Sequence, residues 1–262
     1  MTGYVHGDPP VRFERVDRHV AMVILNRPRA HNAINGEMAA LIDGMVKTVE
    51  SDSTIRAAVF AAVGKSFCAG ADLREVAAGR AIDLRTADGG FAGFVFARRT
   101  KPWIAAVQGA AHGGGTEIAL ACDMIVAGEE ASFGLTEAKR GLIAGAGGCY
   151  RVARALPPAS AIEIVTTAMP FTARRAHELG LVNRMVDTAQ VSAEAVKLAQ
   201  TVAANCPLSV RESLGIARAA VNLGEKELRA LQDEAVERIL AGPDVIEGAT
   251  SFLEKRAPVW SS

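Results

Sequence analysis

Three consecutive glycines followed by a carboxylate are the residues of this chain best suited to chemistry. Residues 112–117 read HGGGTE, and an apolar stretch continues the segment to Cys122. The glycines leave bare backbone N–H groups at the start of a predicted helix, where a developing negative charge is stabilised. Glu117 comes three residues after Gly114, which places it on the same helical face. The pattern predicts a backbone anion hole beside a buried carboxylate, an arrangement that polarises a carbonyl group and moves a proton.

A second carboxylate, Glu137, lies among small and apolar residues in the segment 131–141. One short predicted strand and a turn separate it from Glu117, so the two side chains can converge on one pocket. Taken alone, each glutamate is more typical of a surface or ion-paired residue, and Lys139 and Arg140 are adjacent partners for Glu137. If the two glutamates converge, one pocket holds two groups able to transfer protons.

A third segment, residues 67–73 (FCAGADL), follows an apolar predicted strand. Its small residues let another group approach the backbone closely. Asp72 is a candidate N-terminal cap for the helix that follows. By itself the segment fits an ordinary strand-to-helix turn equally well. Cys68 is not predicted to be a nucleophile, because no base lies near it in the sequence.

Two further glycine motifs resemble nucleotide-binding loops, but each lacks a residue that such a loop requires. Residues 64–66 (GKS) match the end of a phosphate-binding loop, yet the glycine required five positions earlier is replaced by Val59. Residues 145–148 (GAGG) open a predicted helix at 149–156, but no strand precedes them and Tyr150 stands where a dinucleotide-binding motif has its third glycine. The GAGG segment is better interpreted as close helix packing or a pocket wall.

Composition limits the remaining function classes. The 262 residues are 50% hydrophobic, with 29 basic and 29 acidic side chains, so the formal net charge is zero. This balance gives no support for a nucleic-acid or membrane partner. There is no apolar run of about 20 residues and no signal-peptide pattern in the first ten residues, so a cytoplasmic protein is expected. The four cysteines and five histidines are scattered, which favours reduced thiols and no metal site.

Hydrophobic periodicity predicts an α/β protein with mostly parallel strands. Predicted strands cover residues 11–16, 20–25, 57–63, 103–107, 124–127 and 182–186. A helix is opened by Asn35-Gly36, and later helices cover residues 159–167, 172–179, 192–205, 208–221, 225–240 and 243–254. The glycine- and aspartate-rich segment 77–93 is predicted to be a mobile loop or short helices over a pocket. The predicted domain boundary lies at Asn205-Cys206-Pro207, dividing the chain into residues 1–205 and 206–262.

In their order along the chain these segments resemble the crotonase, or enoyl-CoA hydratase/isomerase, superfamily. The matching stretches, from about residue 20 to the C-terminus, are 25–28, 67–73, 101–109, 113–123, 131–137, 145–148, 176–183 and 252–256. The resemblance implies a crotonase-like ββα spiral that binds acyl-CoA over residues 1–205. It also implies a C-terminal helical trimerisation region over 206–262, and a homotrimer or a dimer of trimers. No metal or redox cofactor is implied, since coenzyme A is part of the substrate.

The resemblance also implies roles for individual residues. Ala71 and Gly114 correspond to the two oxyanion-hole N–H donors, which hold the thioester oxygen as enolate charge develops. Glu117 and Glu137 correspond to the two hydratase glutamates. Glu117 would act as the base on water, and Glu137 would deliver a proton to the α-carbon.

Further residues match positions that contact coenzyme A in the family. Arg29 stands where a lysine often lies beside the CoA phosphates. Phe252 and Lys255 resemble tail residues that reach CoA, often in a neighbouring subunit. The backbone that grips adenine and pantetheine corresponds to Ala69, Ala71, Asp72 and Leu73, with Gly114 completing the substrate contacts.

The presence of both glutamates favours reversible hydration of an enoyl-CoA, which makes the protein a hydro-lyase of fatty acyl metabolism. Residues 155–158 and 254–260 look more like carnitinyl-CoA dehydratases than like fatty-acid hydratases. Two alternatives stay open. One is an enoyl-CoA isomerase in which Glu137 alone shuttles the proton. The other is a non-catalytic CoA-binding or RNA-binding scaffold, against which the zero net charge and the retained carboxylates argue.

The sequence departs from the family pattern at four places. Ala144 replaces a common proline before the GAGG segment, Cys149-Tyr150 replace a common Thr-Gln, and His31 replaces a frequent apolar residue. These three changes are expected to reshape the acyl pocket. Segment 77–93 matches nothing in the family pattern, and it is expected to set the choice of acyl-chain length.

Overall fold

The computed structural model describes residues 8–261, which form strands and helices in alternation. The strands are β1 (Val11–Arg15), β2 (Val20–Leu25), β3 (Ala57–Ala62), β4 (Ser66–Cys68), β5 (Arg85–Thr86), β6 (Gly90–Phe91), β7 (Trp103–Val107), β8 (Ala110–His112), β9 (Met124–Gly128), β10 (Ser132–Gly134), β11 (Phe171–Thr172) and β12 (Arg184–Val186). The helices are α1 (Gly36–Ser51), α2 (Leu73–Ala77), α3 (Gly114–Ala121), α4 (Gly148–Ala155), α5 (Pro158–Thr167), α6 (Ala173–Glu178), α7 (Val191–Ala203), α8 (Pro207–Ala219), α9 (Glu225–Leu240) and α10 (Asp244–Leu253).

The strands are divided between two sheets and a short ribbon. The main sheet has the order β1-β2-β3-β7-β9-β12, and the second has the order β11-β10-β8-β4. Within the main sheet β1 is antiparallel to β2, with Val11 opposite Leu25, and the other strands run parallel. In the second sheet only β11 is antiparallel to its neighbour. The predicted class, α/β with mostly parallel pairing, is confirmed.

The chain repeats one unit as it passes between the sheets. A long strand of the main sheet is followed by a short strand of the second sheet and then by a helix, first as β3-β4-α2 and then as β7-β8-α3. The pair β9-β10 begins the pattern a third time. This is the ββα spiral that the resemblance implied. The short strands are not predictable from the sequence, because three residues cannot show a two-residue period.

The strand β3 shows why the main sheet is buried on both faces. Ala57, Val59 and Ala61 belong to the cluster that packs against α7, whereas the alternate residues belong to the larger interior cluster. Successive side chains of a strand point to opposite faces, so an apolar run with no polar alternation suits a sheet covered on both sides. The interior cluster includes Phe60 and Trp103, both fully buried.

Segment 77–93 is more structured than the prediction. It contains a helical turn at Ala81–Leu84, followed by the antiparallel ribbon β5–β6. The short helical element was expected, but the ribbon was not. Phe91, at the end of the ribbon, is 9% exposed and lies against the first turn of α3. The segment therefore contacts the glycine motif directly.

The helices α8 to α10 follow the α/β body. Arg218 of α8 joins them to it, because its guanidinium donates to both carboxylate oxygens of Asp123 at 2.8 Å and to the carbonyl of Arg99. The predicted boundary at residue 206 falls between α7 and α8 and stays a prediction. Among residues 8–261, no helix has the length and apolar character needed to cross a bilayer.

Candidate active site

The three glycines at the start of α3 are each required by a different neighbour. Gly113 caps the helix with φ of +54°, a backbone conformation that side-chain-bearing residues rarely adopt. A Cβ on Gly114 would lie 2.4 Å from Cε1 of Phe91, and a Cβ on Gly115 would lie 2.0 Å from the carbonyl oxygen of Cys68. The helix starts within the glycine run, as the sequence predicted, and only glycine fits at positions 114 and 115.

The turn that holds Ala71 packs against the backbone of Gly114. Ile34 forms a parallel bridge with Ala71 in which the carbonyl of Gly70 and the N–H of Asp72 face Ile34, each in a bond of 2.8 Å. The N–H of Ala71 therefore points to the opposite side. The nitrogen of Gly114 lies only 2.8 Å from where a Cβ on Gly70 would be. Within residues 8–261, neither N–H meets a hydrogen-bond acceptor.

The helix α3 is fixed to the second sheet, whose strand β10 leads to Glu137. The Thr116 hydroxyl donates to the carbonyl of Ala111 at 2.5 Å and accepts the N–H of Gly134 at 3.0 Å. Gly113 donates its own N–H to the Gly134 carbonyl at 2.7 Å. Because Gly134 ends β10 and Glu137 follows it after two residues, these bonds hold Glu137 beside the start of α3.

Glu117 is buried and held by the GAGG segment. Its side chain is 4% exposed, and Oε1 accepts N–H groups from Ala146 at 2.7 Å and from Gly148 at 2.9 Å. A Cβ on Gly148 would lie 3.0 Å from Cγ of Glu117 and 2.9 Å from Cβ of Ala144. The GAGG segment is thus the cradle of the carboxylate, a more specific role than the pocket wall that the sequence suggested.

Glu137 approaches the same helix start from the other side. It begins a helical turn, Glu137–Arg140, and its Oε1 lies 3.2 Å from the position of a Cβ on Gly113. Its Oε2 is buried and has no hydrogen-bond partner within the described residues. An unpaired buried carboxylate oxygen is costly to maintain, and proton transfer to a substrate would explain why this one is kept. The predicted convergence of the two glutamates is present in the structure.

Burial shifts both carboxylates toward neutrality. Burial raises the pKa of Glu117 to about 7, and the charge of Glu137 raises this pKa too, while the N–H groups of Gly148 and Ala146 and the charge of Arg151 lower it. Burial also raises the pKa of Glu137, against the lowering effects of a backbone hydrogen bond and Arg140. A carboxylate with a pKa near 7 can both take up and release a proton at neutral pH.

The residues predicted to contact coenzyme A from the N-terminal region lie on two turns. Arg29 is exposed on the helical turn Pro28–Ala30, and Ala69 and Leu73 are exposed on the other turn. Asp72 is mostly buried: its carboxylate accepts the N–H of Arg74 at 3.1 Å, as the predicted cap, and pairs with Arg27 at 3.2 Å.

The two tail residues belong to the end of the C-terminal helices. Phe252 lies in the last turn of α10, and its side chain is 82% exposed. Lys255 follows the helix with φ of +54° and is also exposed. Both side chains are therefore accessible, as a role toward a second subunit requires.

The cysteines carry no sign of reactivity. Cys68 is buried, its thiol donates to the carbonyl of Asn32 at 3.2 Å, and burial raises its pKa to about 12. A thiol that stays protonated at neutral pH is a poor nucleophile, which agrees with the sequence interpretation. All four cysteines are free.

Sequence reasoning missed two residues that shape the site, Phe91 and Arg151. Phe91 lies in a segment that matched no pattern. Arg151 occupies the first turn and a half of α4, where the helix dipole disfavours a positive charge. A positive charge near a helix N-terminus must be stabilised by other partners. This placement was the one feature of the sequence that could have indicated a role for Arg151.

The chain is similar to known proteins over nearly its whole length. The family profile described as enoyl-CoA hydratase/isomerase matches residues 15–262. A mevalonyl-coenzyme A hydratase of Aspergillus fumigatus is 37% identical, over 92% of this chain and 91% of that protein. A carnitinyl-CoA dehydratase of Proteus mirabilis is also 37% identical, over 92% of this chain and 94% of that protein.

Solved structures agree with this assignment. The crystal structure of an enoyl-CoA hydratase from Mycobacterium tuberculosis superposes with a TM-score of 0.92 at 37% identity, covering 97% of this chain and 99% of that one. A carnitinyl-CoA hydratase from Mycobacterium avium is 40% identical with a TM-score of 0.77, covering 97% and 99%. Sequence and structure therefore lead to one conclusion: the chain belongs to the enoyl-CoA hydratase/isomerase family, the crotonase superfamily.

Proposed function

We propose that this protein catalyses the reversible addition of water across the α,β double bond of an acyl-CoA thioester. The observation that carries the proposal is the grouping at the start of α3. Two carboxylates with raised pKa values lie at a helix start where Gly70 packs against Gly114, and the N–H groups of Ala71 and Gly114 have no acceptor within residues 8–261. This set supplies a base, an acid and an anion hole within one pocket.

In the hydration direction Glu117 is ionised and Glu137 carries a proton. Glu117 takes a proton from water as the water oxygen bonds to the β-carbon. The electrons of the double bond move onto the thioester oxygen, where the N–H groups of Ala71 and Gly114 stabilise the enolate. Glu137 then protonates the α-carbon as the enolate collapses to the thioester. The reverse sequence dehydrates a 3-hydroxyacyl-CoA.

The reaction needs no metal or redox cofactor, because no electrons leave the substrate and two N–H donors can stabilise the enolate. Coenzyme A enters as part of the substrate. We assign its contacts to the backbone of residues 69–73 and to Arg29, whose side chain is exposed and able to meet a phosphate.

We further propose that the chain works as a homotrimer or a dimer of trimers in the cytoplasm, with no nucleic-acid or membrane partner. The exposed Phe252 and Lys255 of one subunit would complete the CoA site of another. Sedimentation with and without an acyl-CoA tests the oligomer. A monomer that retains full activity contradicts this assignment but leaves the chemistry untouched.

The chemistry is tested with a panel of thioesters followed by the absorbance of the conjugated enoyl group. The panel contains crotonyl-CoA and longer enoyl-CoAs, together with mevalonyl-CoA and carnitinyl-CoA, which the names of the similar proteins suggest. Glu117→Gln and Glu137→Gln should each abolish hydration while leaving the fold intact. Glu163→Gln, an exposed glutamate of α5, is the matched control and should retain wild-type turnover. Normal turnover in both test variants contradicts the proposal.

Double-bond isomerisation is the second candidate, favoured by the free Oε2 of Glu137 beside a Glu117 whose Oε1 is fully engaged. In that case Glu137 alone shuttles the proton of a 3-enoyl-CoA. Glu117→Gln would then be tolerated and Glu137→Gln would not. Tight thioester binding without turnover across the panel would instead indicate a binding scaffold.

A further inference from the structure

Arg151 of α4 forms a fork between two loops of the site. Its Nη1 donates to the carbonyl oxygen of Ala146 at 2.7 Å, and its Nη2 donates to the carbonyl oxygen of Val95 at 2.5 Å. The guanidinium lies between two aromatic rings, 5.4 Å from the centre of Phe96 and 5.3 Å from that of Tyr150. Both backbone bonds and both rings fix its orientation.

The first of these bonds acts on the cradle of Glu117. Ala146 is held at both ends, since its N–H donates to Glu117 at 2.7 Å and its carbonyl accepts from Arg151. The fit is tight on the arginine side, because a Cβ on Gly147 would lie 2.3 Å from Nη1. Movement of the Arg151 head group would therefore move the peptide that orients the carboxylate.

The second bond acts on the residues that cover the anion hole. Val95 follows Phe91, whose ring lies 2.4 Å from the position of a Cβ on Gly114, and the N–H of Val95 donates to the Phe91 carbonyl at 3.3 Å. Arg151 thus connects the Phe91 turn to the GAGG segment. One side chain therefore joins the turn that contacts Gly114 to the segment that holds Glu117.

We propose that Arg151 is a positioning residue for the hydration reaction. It holds the Ala146 peptide, and through it the Glu117 carboxylate, in a fixed position relative to the N–H groups of Ala71 and Gly114. The inference rests on the proposed function. Arg151 touches neither the reacting atoms nor the substrate in this assignment. Its effect passes through two carbonyl groups, and its planar fork suits them better than a lysine ammonium, which is a single compact charge.

The charge of Arg151 adds a second effect that can be measured. The charged groups that face Glu117 are Glu137, which raises its pKa, and Arg151, which lowers it. Arg151 in turn faces Glu117, Tyr150, Arg154 and Cys122, and burial lowers its own pKa without discharging it at neutral pH. Loss of the positive charge should therefore raise the pKa of Glu117, so that more of this base is protonated at a given pH.

The test compares three variants in steady-state hydration of the best thioester of the panel. Arg151→Met should lower kcat by about 10- to 100-fold with KM changed by less than about threefold, because the base is displaced while the CoA contacts persist. The acid limb of its pH–rate profile should move to higher pH. Arg151→Lys keeps the charge but not the fork, so its acid limb should stay near that of the wild type while kcat falls.

Arg154→Met is the matched control, since Arg154 lies one turn along the same helix and its guanidinium also lies over the Tyr150 ring, 5.1 Å from its centre. It should behave as the wild type. Hydrogen exchange of residues 142–150 in the free protein gives a readout independent of activity. Exchange there should be faster in Arg151→Met than in Arg154→Met, with circular dichroism showing that both remain folded.

The outcomes separate this inference from the proposed function. If the wild type hydrates no thioester, the proposed function fails, and the exchange data alone decide whether Arg151 orders the Glu117 loop. If the wild type is active, the inference is overturned by an Arg151→Met variant with wild-type kcat and acid limb. An equal loss in Arg154→Met, or a loss confined to KM, overturns it as well.

Discussion

The starts of α3 and α4 are both rich in glycine, but their backbone N–H groups have different partners. Both are opened by glycines, and at both a glycine with positive φ caps the helix, Gly113 in α3 and Gly147 in α4. At α4 the N–H groups of Ala146 and Gly148 are taken by Glu117. At α3 the N–H of Gly114 has no acceptor in the described part of the chain.

One residue accounts for the difference. Glu117 belongs to α3 and its carboxylate occupies the start of α4, so the second helix start orients the base of the first. A glycine-rich helix start therefore predicts an anion site, but not whether the anion comes from the substrate or from the protein. Only tertiary packing decides which of the two helix starts keeps N–H groups without a protein acceptor.

The largest expected effect comes from closing the α3 start. Gly114→Ala puts a Cβ 2.4 Å from Cε1 of Phe91 and 3.3 Å from Cα of Gly70. The helix start must shift away from Ala71, so the two N–H donors no longer converge. Hydration should fall by about 100- to 1000-fold, the usual effect of losing one oxyanion donor. Steady-state kinetics on the folded variant measure it.

Two further variants show whether the steric cause is right. Gly44→Ala in α1 meets nothing within 4 Å and should keep full activity. Adding Phe91→Leu to Gly114→Ala removes the ring tip that the new Cβ meets, and part of the lost activity should return. A single Gly114→Ala variant with wild-type kcat would contradict the assignment of this N–H.

A smaller effect is expected at the α4 start, which acts on the base and not on the substrate. A Cβ on Gly148 would lie 2.8 Å from Cδ2 of Leu135 and 3.0 Å from Cγ of Glu117. Gly148→Ala should therefore displace the carboxylate and lower kcat by about 10- to 100-fold. The KM should change little, because the CoA contacts lie elsewhere.

Gly215→Ala in α8 is the corresponding control, because that position is open within 4 Å. It should leave both kcat and KM at wild-type values. A Gly148→Ala variant that raises KM and keeps kcat would mean that the α4 start binds substrate, and the contrast with α3 would fail.

The comparison also shows how far the sequence leads. The strands β2 and β7 and the helix α9 match their predicted bounds residue for residue, because uninterrupted apolar runs or a clear helical period end at strong breakers. The spacing of their segments predicts that the two glutamates converge, and the resemblance to the family implies the two N–H donors. The structure brings the two glutamates to one helix start and packs the Ala71 turn against Gly114, whereas the catalytic roles of these residues stay proposals.

Other features depend on contacts that no local pattern encodes. The GAGG segment was interpreted as packing, because nothing in it reveals that Glu117, far away in the sequence, accepts its N–H groups. The role of Arg151 depends on the carbonyl of Val95, which any residue could supply. Backbone acceptors carry no sequence signature, so sites built from them appear only when the chain is folded.

A third expected effect concerns stability, and it follows from the burial of Glu117, which outweighs the lowering effect of the cradle at α4 on its pKa. The pKa of Glu117 is raised to about 7, so the native state binds this proton more tightly than the unfolded chain, in which the pKa is near 4.5. The native state is therefore favoured at low pH, and this contribution is lost as pH rises from about 4.5 to 7. Glu117→Gln stays neutral at every pH, so it does not lose this stabilisation. At pH 8 its free energy of unfolding should therefore exceed that of the wild type by up to about 3 kcal/mol.

Urea unfolding of both proteins at pH 5 and pH 8, at one protein concentration, measures this difference. The advantage of Glu117→Gln should be small at pH 5 and larger at pH 8. Glu163→Gln, exposed on α5, should show no such dependence. A stability difference that is the same at both pH values would mean that Glu117 is not buried as the structure has it.

The smallest expected effect belongs to a third helix start, α2, which the protein closes with a side chain. Asp72 accepts the N–H of Arg74 and pairs with Arg27. Asp72→Ala should lower the unfolding free energy by about 1 kcal/mol, the usual cost of a lost cap, and change kcat little. The Ala71 N–H keeps its direction, because the bonds between Ile34 and the neighbouring backbone remain.

Asp72→Asn keeps the cap without the charge. If it keeps stability but raises the KM for the thioester about tenfold, the carboxylate itself binds coenzyme A, and a closed helix start also serves the substrate.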